Sequence, residues 1–118
     1  MAAKDDLGRR GEDIAVRYLE HQGMVVLSRN WRCRAGELDV VATDAHQLVV
    51  CEVKTRSSER FGAPAEAVDP KKAGRIKRVT QAWLAAHRVR WCDLRFDVVA
   101  VVAEPGAPAR ITHYRSAF

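Results

Sequence analysis

An α/β fold in which helices flank one mixed sheet, in the order helix, three strands, helix, strand, is the class this sequence predicts. Three observations carry that prediction. Apolar residues recur at helical spacing near the start and again past the middle of the chain. Three β-like runs lie between these segments, parted by turns that suit antiparallel hairpins. A helical connection then separates the third run from a long apolar fourth, which makes those two strands parallel.

The first helix rests on Leu7, Gly11, Ile14, Ala15, Tyr18 and Leu19, which share a face; Asp5 and Asp6 stand as caps and Gly23 stops the pattern. Glu12 falls at the edge of that stripe. It either overlooks a sheet edge or pocket, or is a solvent carboxylate paired with a nearby arginine. Residues 24–31 read as a strand, Arg34-Ala35-Gly36 as a turn, and 37–43 as a second strand. After a turn around residues 44–47, a third strand covers 48–54. Its apolar start suits a strand covered on both faces.

Residues 55–70, with Gly62, Pro64 and Pro70, form a long connection with a short helical turn near 65–68. A helix follows over 71–88, with Ile76, Val79, Thr80, Trp83, Leu84 and His87 on its inner face. The basic residues of its N-terminal half oppose the helix dipole, which prefers acids there, and so hint at an external anion. Residues 94–102 are a strong strand, and 110–114 add an edge strand after the Pro105-Gly106 turn.

A length of 118 residues suits one domain with a real core. The composition, 47% hydrophobic and 30% charged, indicates neither disorder nor a membrane span, and no apolar run approaches the roughly 20 residues a transmembrane helix needs. The polar, acidic start lacks the apolar stretch of a signal peptide, so a cytoplasmic location is expected. Cys33, Cys51 and Cys92 are scattered and without ligand spacing, and read as reduced structural thiols. The net charge of +5 is uneven: from Lys54 to Arg90 ten Lys or Arg face three acids, a surplus of +7 that leaves −2 elsewhere. Such asymmetry suits a polyanion such as nucleic acid, with a solvated basic helix face as the plain alternative.

The chemistry concentrates at strand ends, in Glu37 and Asp39, then Glu52 and Lys54. Strand residues two apart share a face, and antiparallel pairing brings Asp39 toward Glu52 and Lys54. Two carboxylates about 4 Å apart repel by roughly 4 kcal/mol at an effective dielectric near 20, which a divalent cation or a raised pKa must offset. Glu37 shares a face with Asp39 or sits at the turn. Asp97 either pairs with a cation under the site or is exposed. Trp31, Trp83 and Trp91 are stacking or packing residues, with Trp83 in the core. His21, His46, His87 and His113 lack metal-ligand spacing, and no Ser/His/Asp set or phosphate loop supports a serine hydrolase or NTPase.

The element order resembles the PD-(D/E)xK, or restriction-endonuclease-like, nuclease superfamily over nearly the whole chain. More narrowly, Gly8-Arg9-Arg10-Gly11-Glu12, Gly36-Glu37-Leu38-Asp39, Cys51-Glu52-Val53-Lys54-Thr55-Arg56 and Arg95-Phe96-Asp97-Val98-Val99 look like the YraN family of uncharacterised bacterial proteins, which is similar to archaeal Holliday-junction resolvases. The resemblance implies that Asp39, Glu52 and Lys54 are the motif acids and lysine, and that Glu12 is the first-helix glutamate of the resolvase-like branch. Leu38 replaces the motif proline, and the QxxxY element of exonuclease-like relatives is missing, with no Tyr at residue 85.

The resemblance further implies a metal-dependent endonuclease acting on DNA, branched or otherwise structured. Asp39, Glu52, the Val53 backbone carbonyl and Glu12 would ligate Mg²⁺ or Mn²⁺. Lys54 would orient the attacking water, and Glu37 would support the site from behind. Arg56, Arg60, Lys71, Lys72, Arg75 and Arg78 are the expected phosphate contacts. Resolvase relatives act as dimers, so a homodimer is an open expectation. The alternative is a non-catalytic nucleic-acid-binding or partner-recruiting module that keeps the nuclease fold.

Overall fold

Valine-rich segments in the middle of the chain have no polar face to turn to solvent, and the helices on either side supply the cover. The computed structural model describes residues 3–58, 68–90 and 92–118. Its order is α1 (Ala3–His21), β1 (Val25–Cys33), β2 (Gly36–Asp44), β3 (Gln47–Arg56), α2 (Pro70–Ala86), β4 (Asp93–Val102) and β5 (Arg110–Tyr114). The strands form one sheet in sequence order, β1-β2-β3-β4-β5, antiparallel except for the parallel β3–β4 pair. This α/β arrangement, a mixed sheet flanked by helices, is compatible with the restriction-endonuclease-like core expected from the sequence.

Each helix buries one face of the sheet. Ala15, Val16 and Leu19 of α1 pack on Val40, Ala42, Cys51, Val99 and Val101. Ile76, Val79, Trp83 and Leu84 of α2 pack on Leu38, Val41, Leu48, Val50 and Val98. Because both faces are covered, successive residues such as Val40, Val41 and Ala42 are all fully buried, which suits β-branched side chains on a pleated surface. A fully buried valine contributes roughly 1.5–3 kcal/mol.

Several boundaries differ from the expectations. α1 begins at Ala3, so Asp5 and Asp6 lie inside its first turn rather than capping it, still at the end where acids favour the dipole. α2 starts earlier and ends earlier than residues 71–88: Asp69 is its N-cap, Pro70 occupies the first turn, and the chain turns left-handed at Arg88 (φ 57°). β1 and β3 each run two residues further than expected, to Cys33 and Arg56. The Arg56 carbonyl accepts from the Ala103 amide at 2.9 Å, which ties that extension to the end of β4. Arg60, Trp91 and most of the turn expected near 65–68 lie outside the described residues.

A candidate metal site at a strand fork

The site exists because β2 and β3 part company. Their pairing runs from Asp44 opposite Gln47 to Val40 opposite Cys51, with no paired partner for Asp39. There the Asp39 carboxylate replaces the missing strand: its Oδ2 accepts from the Val53 amide at 2.9 Å. A strand residue's N–H and C=O point to the same edge, so the Val53 carbonyl also faces the fork. The side-chain alternation breaks at the same place, since Leu38 belongs to the α2 face and Val40, two residues on, to the α1 face. Opposite Asp39, Asn30 of β1 adopts a left-handed φ of 52°.

Into this fork come two acids. Burial raises Asp39's pKa, and a hydrogen bond to the Glu52 carboxylate with its negative charge raises it further, to about 8 despite the Val53 amide. Asp39 is thus the member of the pair that favours its protonated form, because a second negative charge beside Glu52 is costly. Glu12 lines the same cleft, about 270 Å³ in volume, together with Leu7, Gly8, Asp39, Glu52, Val53 and Thr55. The close approach of α1 is licensed by Gly11: a Cβ there would stand 2.0 Å from the Thr55 hydroxyl oxygen, so only glycine lets the helix lie on β3. Glu12 does not meet the acid pair. Its Oε1 accepts from Asn30 Nδ2 at 2.8 Å, and burial outweighs that bond to raise its pKa.

Comparison with known proteins places this architecture. The model of the Uncharacterised protein family UPF0102 matches residues 11–101. The chain belongs to the UPF0102 family. That is the YraN family of the sequence resemblance. Among its relatives, a UPF0102 protein of Frankia alni is 54% identical across all of this chain and 98% of its own length. One from Frankia casuarinae is 52% identical over the full length of both, and one from an Arthrobacter species is 50% identical over 98% of each. These names assign no reaction.

In this UPF0102 chain the remaining expected residues are divided. Glu52 and Lys54 share the α2 side of β3 by alternation, but Glu52 takes its ion pair from Lys72 Nζ, 3.3 Å away, and Lys54 has no ion pair among the described residues. Lys72 is thus placed on an acid rather than on the open basic face. Glu37 turns away from the fork and pairs with Arg32 across the hairpin at 2.9 Å, so it touches no member of the acid pair, and its charge is the weakest of the influences raising Asp39. Lys71, Arg75 and Arg78 are exposed on α2, and Arg56 is half-buried at the end of β3.

Asp97 resolves to the paired alternative, fully buried and clamped by Arg95, whose guanidinium reaches it at 2.9 Å. Burial alone would raise its pKa, but hydrogen bonds from His113, Arg95 and the Ser116 amide hold it at about 2. His113 Nε2 lies 2.7 Å from Asp97, and its Nδ1 lies 3.0 Å from the Tyr18 hydroxyl, so this network ties α1 to β4 and β5. Arg95 continues it to Asp44 and Gln47. It is structural, on the α1 face away from the open fork.

Three contributors escaped the sequence pattern: Asn30, Thr55 and the Lys72–Glu52 pair. A lone asparagine in a strand-like run is the one available signal for Asn30, since Asn tolerates left-handed backbone. Among the described residues no group of three or more His, Cys, Asp or Glu side chains converges on one point. The chemistry nevertheless fits a hard divalent ion: two touching carboxylates that require a proton or cation, beside a backbone carbonyl, offer the oxygen donors Mg²⁺ or Mn²⁺ takes while keeping several waters.

Proposed function

We propose that this protein is a metal-dependent nuclease that hydrolyses phosphodiester bonds in DNA, with structured or branched DNA as the substrate class. The observation that carries the reading is the Asp39–Glu52 pair, two acids held in contact at a strand fork where only a proton or a cation makes them compatible. In this reading Asp39, Glu52 and the Val53 carbonyl would hold Mg²⁺ or Mn²⁺. Glu12 joins through its position in the same cleft, reached when it leaves Asn30. When bound, the ion polarises the phosphate and lowers the pKa of water.

The chain's own groups do the rest. Lys54, two residues beyond Glu52 on the same side of β3, would orient the attacking water and stabilise charge that builds on phosphorus. Lys71, Arg75 and Arg78 present cations along the exposed side of α2, a helix with five basic residues and no acid, and hold the backbone of the substrate. Hydrophobic burial of α1 and α2 on a covered sheet keeps the acids and the lysine on rigid elements.

Labelled single-stranded, duplex, flap and four-way DNA incubated with Mg²⁺ or Mn²⁺ tests the reading. Cleavage that disappears on chelation and falls at least about a hundredfold in Asp39→Ala and Lys54→Ala supports it. Cleavage indifferent to both substitutions counts against it. A second reading, a nucleic-acid-binding module without catalysis, draws on the Lys72 ammonium at Glu52 and on the absence of a third converging acid among the described residues. It predicts salt-sensitive DNA binding that survives Glu52→Ala and needs no metal.

A further inference from the structure

The acid pair already has a cation beside it. Lys72 Nζ lies 3.3 Å from Glu52 Oε1, with the Glu52 side chain 12% exposed and the lysine 42%. Its backbone is pinned, because Asp69 caps α2 by accepting from the Lys72 amide at 3.0 Å and Pro70 opens the first turn. A lysine in a first turn stands at the positive end of the helix dipole, where it is locally unfavourable. Helix formation therefore does not explain Lys72. Glu52 does: its carboxylate receives the ammonium.

Lys72, Glu52 and Asp39 thus follow one another side chain to side chain. A divalent ion taken up by Asp39 and Glu52 would meet an ammonium that repels it and occupies a lone pair of the same ligand. Lys72 and the metal compete for Glu52.

We infer that Lys72 is the resident counter-cation of the acid pair, a positioning residue that a divalent ion must displace from Glu52 and that therefore sets the affinity of the site for metal. This rests on the proposed metal site. It differs from the role of Lys54, which is assigned to the reacting water. The competition also gives the site a default: without metal, Glu52 stays oriented into the fork by Lys72 and is not free to turn toward solvent. Displaced, the ammonium stays on the first turn of α2, next to Lys71 on the basic face.

The test is metal binding itself, measured by calorimetric titration of the whole chain with MnCl₂ and again with MgCl₂, in wild type, Lys72→Met, Lys72→Arg and Lys77→Met. Lys77 is an exposed cation of the same helix that lies over the Phe96 ring, so its loss controls for net charge. Lys72→Met is expected to bind Mn²⁺ roughly tenfold more tightly than wild type, the scale of removing a unit charge a few ångströms from the ion. Lys72→Arg should restore wild-type affinity, and Lys77→Met should stay within about twofold. A merely structural lysine would give the opposite sign, since its loss would loosen Glu52 and weaken binding. Equal affinity in wild type and Lys72→Met overturns the inference while leaving the metal site standing; binding in neither overturns both. Should Lys72→Met fold poorly by circular dichroism, Lys72→Gln carries the same comparison.

Discussion

Asp39 and Asp97 are both acids drawn into the fold, and their surroundings push them in opposite directions. Asp97 has a guanidinium, an imidazole and an amide to receive its charge; Asp39 has one amide and a second carboxylate. The pH dependence of stability separates the two. Asp39's pKa is raised from 3.8 to about 8, so the folded chain keeps a proton that the unfolded chain has released, and stability falls as pH rises through that interval. Metal-free Asp39→Asn should therefore be more stable than wild type at pH 8, by on the order of 2 kcal/mol, and nearly equal to it at pH 4. Asp97 runs the other way: its pKa is lowered from 3.8 to about 2, so its contribution is present above pH 4 and disappears as pH falls through 2. Asp97→Asn should cost about 3 kcal/mol at pH 7 and converge on wild type in acid. Urea titrations across pH 2–8 check both. If Asp39→Asn is less stable than wild type at pH 8, the electrostatic account of the pair is wrong.

At the scale of elements, the decisive contact is α1 against β3. Gly11 stands where any side chain would overlap Thr55, and the next residue is Glu12. Alanine is the better helix former by about 1 kcal/mol, yet Gly11→Ala should lower stability by about 2 kcal/mol, near 8 °C in Tm, because α1 must lift from the sheet. Thermal unfolding decides the sign. An increase in Tm would mean that the helix has room to move.

Much of this element framework is readable from the chain. Period-two and period-three-to-four patterns give the helices and strands of the described residues, and the long connection between β3 and α2 gives the parallel pair. Strand alternation also brings Asp39 toward Glu52. The features that stay hidden depend on register and crossing angle. Asn30, left-handed within β1 opposite the fork, donates to Glu12, a contact between strand and helix that no spacing along the chain reveals. Lys72 reaches Glu52 only because the crossover sets the first turn of α2 above β3. Helical spacing fixes which face of α2 is buried, but not which strand its first turn overlooks. Glu37 misleads for a related reason, since its neighbour across the hairpin, Arg32, becomes visible only when Arg32 is paired opposite it.

Over the whole molecule, charge is divided: a basic stretch running through α2, and an acidic fork between β2 and β3. The division makes a prediction about binding that is separate from cleavage. Replacing Lys71, Arg75 and Arg78 together by alanine should weaken oligonucleotide binding at every sequence tested and reduce the slope of log affinity against log salt by about 2 to 3. Fluorescence anisotropy over a series of NaCl concentrations measures this. An unchanged slope would remove α2 from the binding face. No helix among the described residues is long and apolar enough to cross a membrane.

The fork between β2 and β3 is proposed as a site for a divalent ion. A crystal of the protein soaked in MnCl₂ tests it directly, by anomalous scattering. A peak is expected in contact with both the Asp39 and Glu52 carboxylates, with Lys72 Nζ withdrawn from Glu52 and no peak in Asp39→Ala. A structure in which Mn²⁺ stays away from the fork at saturating concentration, with the Lys72–Glu52 pair intact, would contradict it.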